Sequence, residues 1–300
     1  MCRSRGVVPE EGPRPRLDYH IHPDFSTDAA GGIQDYCRAA IRAGLEEICF
    51  TTHLDLNPAR PEANIVRVAG KLVSSFDPIW FQAYADAVEE ARRRYPGLCI
   101  RLGLEVDYVE GLEDEISRFT TLAEVDFVLG SVHYVDGLAI TDPVEASELW
   151  RRYRPGHLLK LYYDLVAQAA ASGLFDVLGH LDVYHRYSRP AAGNDLAGIG
   201  RQLAGSALAT AARHGVGLEV NTSPVRLGGL APFPGRELLA KAVRAGVRVF
   251  TVGSDAHRPE GVGGGVGYGL SWLRWAGIGQ VARFHARQAT LMPISELDQG

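Results

Sequence analysis

Asp18-Tyr19-His20-Ile21-His22 opens the apolar part of the chain, and its reading decides the architecture. Side chains alternate along a strand, so His20 and His22 project from one face and can present two imidazole nitrogens to a single divalent cation. Asp18 is expected on the same face. A pair of His spaced this way is as often incidental as ligating, so the assignment turns on what recurs downstream.

Outward from this stretch one pattern repeats: a short aliphatic or β-branched run, a polar residue at its end, then a helical segment closing at Gly. Strands are expected at 17–22, 47–53, 100–108, 125–133, 175–183, 216–222 and 247–257. Between the first two, Ile33, Tyr36, Cys37, Ala40 and Ile41 fall at helical spacing, and Gly44 is placed to cap that helix. The same order of helix, Gly and strand returns at Gly173, Gly215 and Gly246.

Strands alternating with helices argue for parallel βαβ units. Near-continuous apolar runs such as Val247-Arg248-Val249-Phe250 suit a sheet covered on its outer side by helices. A closed or nearly closed α/β barrel of seven strands fits best. Segments 54–76 and 135–156 break the rhythm with Pro58, Pro61, Asp136-Gly137, Asp142-Pro143 and Pro155-Gly156, and read as insertions over the barrel mouth.

Three hundred residues with 46% apolar content can bury a full core, and the expectation is one domain over 17–300. Residues 1–16, rich in Arg, Pro and Glu, are expected to form a disordered extension. The net charge of −5 and the lack of a Lys/Arg block argue against nucleic acid as a partner. No apolar run approaches a membrane span. Four Cys, at 2, 37, 49 and 99, have no Cys-x-x-Cys spacing and suit reduced thiols in a cytoplasmic protein. Nothing in the sequence specifies an oligomeric state.

Parallel barrel strands all end on one face, so their polar termini converge. These termini contribute His20, His22, His53, Glu105, His133, His180, Glu219, Asn221, Asp255 and His257. Six of the ten His sit there; His157, His185, His214 and His285 do not and are given no chemistry. So many N and O donors exceed what one tetrahedral ion needs. Two or three divalent ions sharing a bridging carboxylate are expected, with Glu105 as the bridge.

Taken together the motifs resemble the PHP (polymerase and histidinol phosphatase) superfamily, in its histidinol-phosphatase branch. The resemblance runs in order through residues 17–260. It rests on Asp18-Tyr19-His20-Ile21-His22, Gly103-Leu104-Glu105-Val106-Asp107-Tyr108, Gly130-Ser131-Val132-His133, Asp176 to Asp182, Glu219-Val220-Asn221-Thr222-Ser223 and Gly253-Ser254-Asp255-Ala256-His257. It implies a distorted (β/α)7 TIM-like barrel with the active site at the C-terminal strand ends and three metals. One ion would be held by His20, His22, Glu105 and Asp255, a second by Glu105, His133 and His180. The third would take His53, His257 and Asp28, a position where many family members carry His; carboxylate there is a competent ligand and favours harder ions. Zinc, manganese and iron all suit these donors.

The resemblance further implies a phosphate monoester hydrolase, with hydroxide bridging two ions attacking phosphorus. The leading substrate is L-histidinol phosphate in histidine biosynthesis; the alternative is another small phosphate ester, a nucleotide or an oligonucleotide end. Glu105, Asp255 and His257 would act through the ions, and Asp18 would orient a ligand His or handle a proton. Arg186 and Arg226, just past strand ends, are candidates for phosphate contact. Asn221 is a candidate for substrate contact or for bracing a loop. Gly261 to Gly269 lacks the Gly-Lys-Ser/Thr of a nucleotide loop and reads as a flexible lip of the site, with Trp272 and Trp275 behind it in the core.

Overall fold

Seven parallel strands form one sheet in chain order: β1 (Leu17–Ile21), β2 (Glu47–Leu54), β3 (Cys99–Asp107), β4 (Phe127–Ser131), β5 (Val177–Leu178), β6 (Gly217–Asn221) and β7 (Phe250–Gly253). The computed structural model describes residues 16–188 and 195–295. The extension expected at 1–16 falls outside them save for Arg16, whose carbonyl accepts the N–H groups of Glu46 and Glu47. The sheet curls until its edges meet. Ile21 forms a parallel bridge to Ala256, and the His22 N–H donates to the Ala256 carbonyl at 2.9 Å.

Six crossovers each carry a helix, including Ile33–Arg42, Ile79–Arg94 and Arg236–Ala245. In the first, Ile33, Tyr36, Cys37 and Ala40 are buried as the spacing requires, whereas Ile41 is half exposed. Gly44, Gly173, Gly215 and Gly246 all take positive φ after helices, the conformation that lets the chain turn into the next strand. The expected strands at 175–183 and 247–257 are shorter than their apolar runs. Their later residues leave the ladder to form the mouth.

The outer face of the strands (Ile48, Phe50, Ile100, Leu102, Leu104, Val220, Val252) is buried beneath the helices. The lower interior is closed by a hairpin, Gln280–His285 with Gln288–Pro293. There Tyr19 donates to Glu47 at 2.5 Å, Arg101 donates to Glu47 at 2.8 Å, Arg283 pairs with Glu47, and the Phe284 N–H donates to the Tyr19 hydroxyl. The polar strand-end donors gather at the other end.

Both expected insertions lie at that end. The first contains a hairpin, Ile65–Val68 with Lys71–Ser74, and the second contains a short hairpin and the helix Pro143–Arg152. Arg60 joins them through two 2.8 Å bonds to the Glu145 carboxylate, while its guanidinium covers the Tyr134 ring.

Candidate metal centre

Pairing between β1 and β2 fixes which β1 side chains enter the barrel. Leu17 opposes Glu47, Asp18 opposes Ile48, and Ile21 opposes Phe50, so one extra residue is accommodated between Asp18 and Ile21. A bulge of this kind inverts side-chain parity. His20 and His22 therefore point inward, but Asp18 points outward with Ile48, which corrects the expectation that it shares their face. Its buried carboxylate accepts the Ser254 N–H at 2.9 Å, the Ser254 hydroxyl at 2.5 Å and the Gly263 N–H at 2.8 Å. Asp18 binds the end of β7 to the glycine-rich loop rather than facing the chemistry.

Inside the mouth Glu105 is the centre. One of its oxygens lies 3.1 Å from His20 Nε2, 3.3 Å from His22 Nε2 and 3.2 Å from His53 Nδ1; the other lies 3.0 Å from His180 Nε2 and 3.6 Å from His133 Nε2. The Ser131 hydroxyl donates to that second oxygen at 2.6 Å. Register explains the meeting, since His53 sits directly opposite Glu105 and Asp107 opposite Ser131 on neighbouring strands. Asp255 comes from beyond β7 with φ 54°, a left-handed conformation unusual for a non-glycine residue. It lies 3.7 Å from His20 Nε2 and 3.6 Å from His22 Nε2. Gly253 is needed here, because a Cβ would collide with His20 and Glu219.

Among the described residues three groups of side chains bring ligand atoms close enough to share an ion: His20, His22 and Asp255; Glu105, His133 and His180; and His22, His53 and His257. Asp28 adjoins the third group, its Oδ2 being 3.1 Å from His257 Nε2 and 3.7 Å from His53 Nε2. Nine expected ligands thus meet in one mouth.

Electrostatics in the mouth follow from this crowding. Although burial acts against the charged ring, Asp28 and Glu105 raise the His53 pKa to about 10. Burial lowers His133 to about 3. Glu105 is buried, which opposes ionisation, yet the surrounding imidazoles hold it well below the usual carboxylate range. Divalent cations fit this donor set. His133 Nε2 and His180 Nε2 stand 3.3 Å apart, and His22 Nε2, though 3.3 Å from Glu105, is buried without a well-aligned hydrogen bond among the described residues. Such nitrogens need a proton or a cation between them.

Of the expected substrate groups, only Arg186 lines the central cavity of about 270 Å³, together with Asp28, Asp55, Ile65, Tyr134 and Val183 among others. It donates to the Ser223 hydroxyl at 2.9 Å and lies 3.5 Å from Asp255 Oδ2. Arg226 instead donates to the backbone carbonyls of Ser254 and Asp255, and packs beside Gly261 and Gly264. Asn221 is fully buried; its amide nitrogen donates to Glu219, and its oxygen accepts both the N–H and the hydroxyl of Ser223. Both are braces.

The glycine-rich run is likewise no flexible lip: Gly263 is bound to Asp18, the Gly264 carbonyl accepts the Thr222 hydroxyl, and Val266 begins a helix. Trp272 is buried as expected, whereas Trp275 is half exposed under Arg236. Glu219, whose motif alone indicates no role, lies with Oε1 2.6 Å from His20 Nδ1, and its Oε2 accepts the His180 N–H. An acidic residue two positions before the strand-end Asn221, and so on the same face of the strand, was the available signal.

Comparison with known proteins agrees with this geometry. The family model described as PHP domain matches residues 18–223. A protein of Deinococcus radiodurans named probable histidinol-phosphatase is 30% identical over 258 residues, covering 82% of this chain and 88% of its own length. The histidinol-phosphatase of Lactococcus lactis is 28% identical over 253 residues, 81% of this chain and 84% of that protein. Among solved structures, histidinol phosphate phosphatase from Lactococcus lactis, complexed with zinc, L-histidinol and phosphate, superposes with a TM-score of 0.73 at 24% identity over 92% of this chain and 99% of that one.

Proposed function

Since the chain belongs to the PHP family, we propose that it is a metal-dependent phosphatase that converts L-histidinol phosphate and water to L-histidinol and phosphate. The supporting observation is the convergence of three ligand groups on Glu105 at the mouth of a PHP-type barrel. We read residues 17–300 as one domain that holds three divalent ions. His20, His22, Glu105 and Asp255 would hold one, Glu105, His133 and His180 a second, and His53, His257 and Asp28 a third. Once bound, the ions supply Lewis acidity toward phosphate oxygens and acidify water near neutral pH.

The chain's own groups orient and neutralise. Glu219 accepts Nδ1–H of His20, which fixes the ring with Nε2 toward Glu105 and Asp255. Ser131 holds one Glu105 oxygen in place. Arg186, anchored on Ser223, presents its remaining N–H groups to a phosphate oxygen at the cavity wall. Asp55 lies on the same wall and would meet the cationic amine or imidazole of the leaving group, with Ile65, Tyr134 and Val183 against its carbon skeleton.

The test is phosphate release from L-histidinol phosphate, beside nucleotides and sugar phosphates, on protein of measured metal content. Preference for histidinol phosphate by orders of magnitude in kcat/KM upholds the reading. If another ester wins on metal-loaded protein, the substrate assignment falls and the phosphatase assignment stands. Full activity after metal depletion would overturn both.

A further inference from the structure

The loop between β1 and the first helix carries Asp28 and is held by a single side chain from the first insertion. Arg67, in the hairpin strand Ile65–Val68, donates from Nη1 to the carbonyls of Asp24 (2.9 Å), Ser26 (3.3 Å) and Ala29 (3.3 Å), and from Nη2 to that of Thr27 (2.8 Å). Its backbone N–H donates to the Phe25 carbonyl, and Ser26 bridges to Val66 beside it. Five of the six carbonyl oxygens from Asp24 to Ala29, all but that of Asp28, are therefore tied to this one residue. On its far side the loop is pinned to the metal ligands themselves: Ala30 N–H donates to the His257 carbonyl, and the Ser26 hydroxyl accepts the His53 N–H.

Asp28 is suspended between these two anchorages. Its side chain is 57% exposed, so packing does not hold it, yet its carboxylate lies against both His257 and His53. A ligand on a solvent-exposed loop binds well only if its carrier is fixed in advance, because otherwise ordering of the loop is charged against ion binding. We infer that Arg67 is a positioning residue for the third ion: its guanidinium clamps the loop carbonyls so that Asp28 completes the site with His53 and His257. This rests on the three-ion reading above. Arg67 suits the task because its planar fork carries several donors, which a Lys ammonium cannot spread over four carbonyls.

The experiment is Mn2+ titration of chelator-treated full-length protein, with free Mn2+ followed by electron paramagnetic resonance and bound metal counted by elemental analysis. Wild type, Arg67→Met, Arg67→Lys, Asp28→Ala and Arg67→Met with Asp28→Ala are compared, with circular dichroism to establish folding. The expected result is loss of one Mn2+, or at least a tenfold weaker Kd for the weakest site, in Arg67→Met. Arg67→Lys should recover part of it, and the double variant should be no weaker than Asp28→Ala. Unchanged binding in folded Arg67→Met overturns the inference, as does equal weakening of all sites, the signature of a merely structural residue. A wild-type protein that takes up only two ions overturns the three-ion reading and this inference together. If Arg67→Met does not fold, an undiminished third site in Arg67→Lys overturns it.

Discussion

Glu219 Oε1 lies 2.6 Å from His20 Nδ1, nearer than Glu105 or Asp255 comes to that ring on its other side. The imidazole is thus gripped from behind by one carboxylate and faces two more. A His held in this way has its tautomer, orientation and basicity set by the carboxylate behind it. Glu219→Gln keeps an acceptor of the same shape and removes the charge. Metal affinity, measured by chelator competition, should fall about 10- to 100-fold, with little change in Tm of the metal-free protein.

Asp18, by contrast, should prove a matter of stability. In Asp18→Asn the amide cannot accept from both the Ser254 hydroxyl and the Gly263 N–H, leaving a buried donor unmet. Urea unfolding should show a loss of about 1–3 kcal/mol, with kcat within a few-fold of wild type. A collapse of kcat at unchanged stability would return Asp18 to the catalytic machinery.

The raised pKa of His53 links pH to metal uptake. With its folded pKa at about 10, above the value of about 6.5 for an unfolded His, the metal-free protein carries this proton at neutral pH. The resulting stability is fully present below the unfolded value and is lost as pH rises through about 10. Binding an ion at His53 must displace the proton, so affinity moves the opposite way and strengthens with pH. Calorimetry in buffers of different ionisation enthalpy should therefore record proton release on metal binding at pH 7. Its absence would show that His53 is already neutral.

Arg60 and Glu145 couple the two insertions above the cavity. Arg60→Ala and Glu145→Ala should each raise KM with little change in kcat, because the wall containing Ile65 and Tyr134 loosens while the metal ligands stay in place. The double variant should be no worse than either alone, a coupling of about 1 kcal/mol or more. Additive effects would mean that each residue acts alone.

The gathering of the strand-end donors was legible because parallel strands deliver their ends to one face whatever the sequence separation, so His22 and His257 meet across most of the chain. Direction was harder to read than place. Asp18 obeys the alternation rule in sequence, but the bulge after it inserts one residue without any compositional mark and turns it outward. Arg226 and Asn221 were placed correctly near the mouth, yet their partners are backbone carbonyls and Ser223, which become neighbours only through the fold. The glycines at 261–269 were read as freedom. At Gly264 and Gly269 they instead serve close packing against Arg226, Thr222 and Val252. Arg67 was invisible for a similar reason, since a hairpin must first carry it to the loop it clamps.

The meeting of β1 with the end of β7 has a consequence for how this barrel comes apart. Along that seam, the ladder reduces to a bridge at Ile21 and Ala256, with the Ala256 N–H reaching the His20 carbonyl at 3.3 Å. His20 and His22 stand on one side of it, and Asp255 and His257 on the other. Cations shared between these side chains would work as rivets across this single-bridge joint of the cylinder. Saturation at a hundred times Kd adds about 2.7 kcal/mol to a folded state that alone binds them. Stripping the metal would then open the molecule like a barrel stave sprung at one edge, with protease cutting first beside β1 and β7.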